Sequence, residues 1–409
     1  MSHPSSAADA AAGVDDRIAR RNVALLAFAQ ALGGASASIV IATGPLIGSA
    51  LLGSDKSLAT LPVSFMVLGT ALGMLPAGMI MRRFGRRRSF LGSSIGGTVT
   101  SLLAAWAVLG ASFWLFTLAC AAMGFVTAFV QQFRFAAADA ASPAFRPRAI
   151  SWVMAGGILA GVIGPQTVIL TRDLFAPILF AGTYIALAGL SFLAFLVLWF
   201  LKSPPPMAKA QAGDARPLSE IMRQPGFIVA VTCGIVSYAL MSLVMTATPL
   251  AMIGCGLTTT DAALAIQWHV LAMFGPSFFT GSLIARFGVR TIVLVGLALL
   301  CGCAVIALSG EEVGHFWVAL ILLGVGWNFG FIGATTMLTA CYRPSERNMV
   351  QSANDFLVFG FVAFASFSSG SLLYNFGWGT VNMLVFPVTA ICVVLMVVLR
   401  RSSTSDALA

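Results

Sequence analysis

The chain has 409 residues, 59% of them hydrophobic and 9% charged, where a soluble domain carries roughly 25% charged residues; a surface covered in polar groups is excluded. A net charge of +9 would suit a nucleic-acid binder, but the basic residues fall in alternate loops, so they are read as topology signals and no nucleic-acid partner is expected. Seven cysteines, an odd number with no Cys-x-x-Cys pair, argue against a disulfide framework or zinc site, and no metal or other cofactor is expected.

Residues 1–21 are small, polar and charged, and read as a cytoplasmic N-terminal tail. Apolar runs then recur at 22–50, 57–81, 89–110, 112–137, 149–171 and 177–201, and again at 226–250, 260–284, 291–309, 315–340, 348–373 and 378–399. Each is about long enough to span a bilayer as a helix. Continuous apolarity, with no alternation, selects helices over a barrel. Twelve transmembrane helices in two six-helix bundles, 22–201 and 226–399, are therefore expected. Residues 202–225, with Pro204-Pro205-Pro206, read as a cytoplasmic linker in which Ser219 to Arg223 form a short surface helix, and 400–409 as a cytoplasmic tail.

Two repeats support the division. Gly78-Met-Ile-Met-Arg82-Arg83-Phe84-Gly85-Arg86-Arg87-Arg88 returns 203 residues later as Gly281-Ser-Leu-Ile-Ala285-Arg286-Phe287-Gly288-Val289-Arg290. Ala42-Thr43-Gly44-Pro45-Leu46 returns as Thr246-Ala247-Thr248-Pro249-Leu250, with the prolines 204 apart. With the N-terminus inside, 21 of the 23 Lys and Arg residues lie on the cytoplasmic side and only Lys56 and Arg172 lie outside, as the positive-inside rule requires. A multi-pass protein of the cell inner membrane, with both termini cytoplasmic, is expected.

Twelve helices, a six-plus-six repeat and a basic turn after the second and eighth resemble the major facilitator superfamily, over residues 22–400. The family's turn signature, Gly-x-x-x-Asp-Arg-x-Gly-Arg-Arg/Lys, is matched by Gly78, Arg83, Gly85, Arg86 and Arg87; Arg82 stands where the family has Asp, and Ala285 in the second copy. The resemblance implies an all-α fold, alternating access, and a gating role for Gly78, Arg82, Arg83, Gly85 and Arg86. Because the family's Asp latches the inner side against the eleventh helix, Arg82 or Arg83 is expected to pair with Asp355; capping of its own helix end is the competing role for Asp355.

The fifth span carries Gly156-Gly157 and Gly161 to Gly164-Pro165, part of the family's antiporter signature without its final glycine pair. Small residues at this spacing more often serve close helix packing, so the partial signature adds little to an exporter reading. Cys120 occupies the place before Gly124 where family antiporters often carry a basic residue, which weighs against a proton relay there.

The resemblance also places the first, fourth, seventh and tenth helices around a central cavity, flanked by the second, fifth, eighth and eleventh. Polar side chains in a membrane interior are costly unless they face a bundle or a cavity. Gln30, Gln131, Gln166, Tyr238, Gln267, Trp268, Trp327 and Asn328 are the substrate-binding candidates on that ground. His269 is the candidate proton-coupling residue, against a neutral interhelical hydrogen bond; Arg134 and Asp139 are expected to pair locally at the interface. Amides and aromatics without an acidic pair favour a planar, hydrogen-bonding small organic solute. The stretch from Gln131 to Pro165 is similar to bacterial facilitators of the vitamin-uptake kind, riboflavin carriers among them. A monomeric, non-enzymatic transporter in contact with membrane lipid follows, with protons as candidate coupling ion; efflux of drugs or metabolites by proton antiport is the alternative.

Overall fold

In the computed structural model, residues 16–142, 145–202, 216–343 and 345–405 are described. Most of the linker and the outer parts of the expected tails, at 203–215, 1–15 and 406–409, lie outside the described residues, while 16–21 and 400–405 continue the first and last helices. The described chain is helical throughout its regular structure. The first half comprises α1 (Asp16–Leu51), α2 (Leu61–Phe84), α3 (Arg86–Leu109), α4 (Phe113–Val130), α5 (Phe133–Ala140), α6 (Arg146–Thr171) and α7 (Ala181–Trp199). The short α8 (Leu218–Met222) lies in the linker, as its sequence suggests. The second half comprises α9 (Pro225–Gly254), α10 (Thr259–Phe274), α11 (Ser277–Phe287), α12 (Val289–Ser309), α13 (Val313–Thr339), α14 (Arg347–Met383) and α15 (Val385–Ser405).

Among the described residues ten helices are long and apolar enough to cross a membrane; α10 and α11 add an eleventh span, bent by 44°. The shorter apolar Val385–Val398 completes the twelfth, continuing from Trp378 beyond a turn at Gly377, where φ is +81°.

The two basic turns have one geometry. Gly85 ends α2 at φ 77°, ψ 155° and Gly288 ends α11 at φ 83°, ψ 147°; a side chain at that φ would be strained, so glycine is required. In each turn an arginine lies over the preceding-turn phenylalanine, Arg83 on Phe84 at 5.3 Å and Arg286 on Phe287 at 5.2 Å. The halves also match in their closest helix approach. A Cβ on Gly124 would stand 2.0 Å from the Met66 carbonyl, and one on Gly324 would stand 2.6 Å from that of His269. Met66 and His269 are themselves 203 residues apart.

Basic residues gather at one end of the bundle, here the basic face. There Arg21 and Arg87 donate to the Phe200 and Trp199 carbonyls at 3.2 and 2.7 Å, satisfying the free carbonyls at the C-terminus of α7. Arg86, only 6% exposed, pairs with Asp139 at 2.5 Å. The acid that the turn lacks at Arg82 is thus supplied from the end of α5, and Asp139 pairs with Arg86 where local pairing with Arg134 was expected.

One span expected to be continuous is bent and another is interrupted for a single turn. The fourth runs as one span, Phe113–Ala137, with the interruption at Gln131-Gln132 between α4 and α5. The eighth breaks at Gly275-Pro276, where the proline has no N–H to give. Asn328 repairs that break: its amide donates to the Met273 carbonyl at 2.6 Å and to Ser277 Oγ at 2.7 Å, and accepts from Thr280 Oγ1 at 2.6 Å.

Candidate functional site

The halves meet at the face opposite the basic one. Ser64 Oγ donates to Ser366 Oγ at 3.1 Å, and Tyr374 Oη donates to the Ser54 carbonyl at 3.1 Å. Arg172 donates to Thr259 and Thr260. Deeper in, Gln166 Nε2 donates to Gln267 Oε1 at 2.9 Å. These are hydrogen bonds between uncharged groups apart from Arg172, and no ion pair joins the halves among the described residues. α6 packs on α10, the half of the bent span nearer this sealed face, and no comparable packing joins a first-half helix to α11. The molecule is closed at one face and parted toward the basic face.

Facing into the parted region, α9, α13, α14 and α10 contribute an aromatic cluster. Trp327 and Phe331 stack at 5.2 Å with planes 14° apart. Tyr238 stands edge-on to Trp327 at 5.2 Å and to Phe331 at 5.1 Å, and packs on Phe359 at 5.6 Å. Phe274 closes on Trp327 at 6.2 Å. Residues four apart on a helix share a face, which is why Trp327 and Phe331 meet. The indole Nε1 of Trp327 is buried and has no hydrogen-bond partner, a donor held ready in an apolar wall.

The first half contributes amides. Gln30, Gln131 and Gln132 are half-buried, and no hydrogen bond to protein is made by any of their side chains among the described residues. Unpartnered amides are stable at this depth only if water or a solute reaches them. The interruption at Gln131-Gln132 leaves both amides where two helix segments meet.

Charge enters the region in two places. Arg134 on α5 and Asp355 on α14 come from opposite halves, both exposed, and each lies in the electrostatic field of the other and of Tyr238. Arg134 packs over Phe135 at 4.8 Å, and Asp355 accepts a hydrogen bond from Asn354 at 3.1 Å.

Of the expected substrate-binding residues the structure brings together Tyr238 and Trp327, leaves Gln30 and Gln131 half-buried on the first half, and sets Gln166 and Gln267 as a pair in the seam. Trp268, 41% exposed, has no ring contact with the cluster, and Asn328, 0% exposed, has its amide engaged at the helix break. His269 is also 0% exposed; its Nδ1 bonds the Leu320 carbonyl at 2.9 Å and its Nε2 has no partner. Asp355 makes no ion pair with Arg82 or Arg83; Arg134 is the cation that faces it. Gly78 and Gly85 have open space around them. Phe274, Phe331 and Phe359 escaped the sequence reading, although the four-residue spacings Trp327–Phe331 and Asp355–Phe359 carry a signal.

A family model for the Major Facilitator Superfamily matches residues 26–276 and 230–408. The riboflavin transporter RfnT of Brucella anthropi is 52% identical over 382 residues, which cover 93% of this chain and 96% of that relative. Two uncharacterized MFS-type transporters of Bacillus subtilis, YdeG and YddS, are 31% and 29% identical, over 83% and 84% of this chain and 82% of each relative.

Proposed function

This chain belongs to the major facilitator superfamily, and from that premise we propose that it imports riboflavin across the inner membrane by alternating access. It is a transporter, not an enzyme. The observation that carries the substrate is identity of 52% with a riboflavin transporter over nearly the whole of both chains. The aromatic cluster supports it. An isoalloxazine is a flat heteroaromatic plate whose faces suit Tyr238 and Trp327 and whose imide edge matches the donors and acceptors of amides such as Gln30 and Gln131.

The positive-inside rule puts the basic face, and both termini, in the cytoplasm. The arrangement with its far face sealed is then the one that releases solute inward. Opening outward would break the Gln166–Gln267, Ser64–Ser366 and Tyr374–Ser54 bonds and draw Arg134 toward Asp355, so the inner latch expected of Arg82 or Arg83 passes to Arg134. The turn residues Gly78, Arg82, Arg83, Gly85 and Arg86 act as its support, anchored through Asp139. Transport is by a monomer, with protons as candidate coupling ion.

Labelled riboflavin supplied to a riboflavin-requiring bacterium expressing the protein tests this. Saturable uptake is expected. Absence of uptake with membrane insertion confirmed overturns the substrate, and lowered accumulation restored by a protonophore would establish efflux instead.

A further inference from the structure

Basic residues crowd the side toward which the halves part, and among the described residues the acids there are few. On the basic side Asp139 is engaged by Arg86 and Glu346 by Arg216, while Glu220 lies exposed on the surface helix α8. Asp355 is the remaining acid on this side among the described residues, where it accepts a hydrogen bond from the neighbouring Asn354. It stands one turn before Phe359 on the same face of α14, and Phe359 packs on Tyr238 at 5.6 Å. The carboxylate therefore lies along the aromatic wall, displaced toward the basic face, with Arg134 opposite on the other half.

A flat ring held on Tyr238 and Trp327 with its polar tail toward the opening would bring that tail to Asp355. An ionised carboxylate only accepts hydrogen bonds. A polyol tail supplies hydroxyl donors. Esterification of its terminal hydroxyl removes one of those donors and brings a charge of about −1.5 to −2 at pH 7. Arg134 could otherwise hold such a phosphate, and the charge on Asp355 opposes that attraction.

We propose that Asp355 is a specificity-determining residue, accepting hydroxyl hydrogen bonds from the polyol tail of riboflavin and turning away its 5′-phosphate. The proposal rests on the riboflavin reading. Repulsion between like charges in a partly solvated site, partly offset by Arg134, is expected to leave about a tenfold preference.

The test is titration of the purified full-length protein with riboflavin and with riboflavin 5′-phosphate, followed by quenching of flavin fluorescence. The wild type should prefer riboflavin about tenfold or more. Asp355→Asn should lose most of that preference, because the phosphate keeps Arg134 and meets no like charge; Asp355→Glu should retain it. Arg134→Gln should widen it. An unchanged preference in Asp355→Asn, or equal binding of both flavins by the wild type, overturns the proposal. Should Asp355→Asn fail to fold, Arg134→Gln decides, and a preference that does not rise overturns it. A wild type that binds neither flavin sinks the substrate itself, a separate result.

Discussion

Trp327 and Tyr238 pack in the second half's aromatic cluster and, on the proposed reading, also meet the flavin ring. Base-on-aromatic stacking is worth about 1–3 kcal/mol per ring, so Trp327→Ala should weaken riboflavin binding by about tenfold or more, and Trp327→Phe by less, as read by fluorescence titration. His269 presents the opposite case. Its ring is fully buried, bonded to the Leu320 carbonyl, and no charged side chain bonds its free Nε2. The geometry favours a neutral tie between α10 and α13, so His269→Gln should keep whatever response uptake shows to a protonophore; loss of that response with transport retained would make His269 the proton carrier. Glu346 is buried with four hydrogen bonds, from Arg216 Nε and Nη2 and the backbone N–H groups of Arg216 and Arg343. These, Arg216 first, hold its carboxyl well below the usual carboxylate range. A depressed pKa contributes stability that is present above the unfolded value and lost only as pH falls through the folded one. The clamp should persist throughout the physiological range, and Glu346→Gln should lower Tm by a few degrees at neutral pH, with the difference vanishing in strong acid.

Helices pack here by removing side chains rather than by interlocking large ones. Lipid is as apolar as a protein core, so close backbone approach carries much of the association. A Cβ on Gly161 of α6 would come within 2.5 Å of Val270 on α10, across the seam between the halves. Gly161→Leu should wedge that seam, making a cysteine placed on the sealed side at Thr259 more reactive toward a membrane-impermeant thiol reagent and lowering uptake severalfold. Unaltered reactivity would show that the seam does not close the far face. The interruption in the fourth span and the bend in the eighth illustrate a limit on reading elements from sequence. Gly275-Pro276 is a visible breaker, whereas Gln131-Gln132 is not. Its amides look like ordinary interior polar residues until the helix is seen to be interrupted there.

For the whole molecule, the distribution of cross-half bonds defines the state. Ser64 and Ser366 are hydroxyl neighbours at 3.1 Å on opposite halves. Oxidation of a Ser64→Cys, Ser366→Cys pair in a background where the seven native cysteines are replaced should abolish uptake, and reduction should restore it. Uptake that survives complete cross-linking would rule out alternating access through this seam. The same distribution makes the seal nearly neutral and leaves Arg134 and Asp355 to the basic side, the inner one on the proposed orientation. Ionic strength should therefore act on inner closing more than on outer opening.

Composition, run length and charge asymmetry determined a polytopic helical membrane protein with its basic residues gathered at one face, because a bilayer leaves a chain few alternatives. The 203-residue repeat determined the two halves, and Gly85 and Gly288 hold the same left-handed turn in each because both copies need it. Only the tertiary structure decided which polar groups are free: Asn328 is engaged in mending a helix, Gln166 and Gln267 are bonded to each other, and Gln30 and Gln131 are left open. It alone set Arg134 opposite Asp355 and gathered Phe274, Phe331 and Phe359 around Tyr238 and Trp327. The reason is physical. A helix apolar on every side carries no stripe that tells its lipid face from its buried one, so helical spacing shows which residues share a face, and packing alone shows what that face meets.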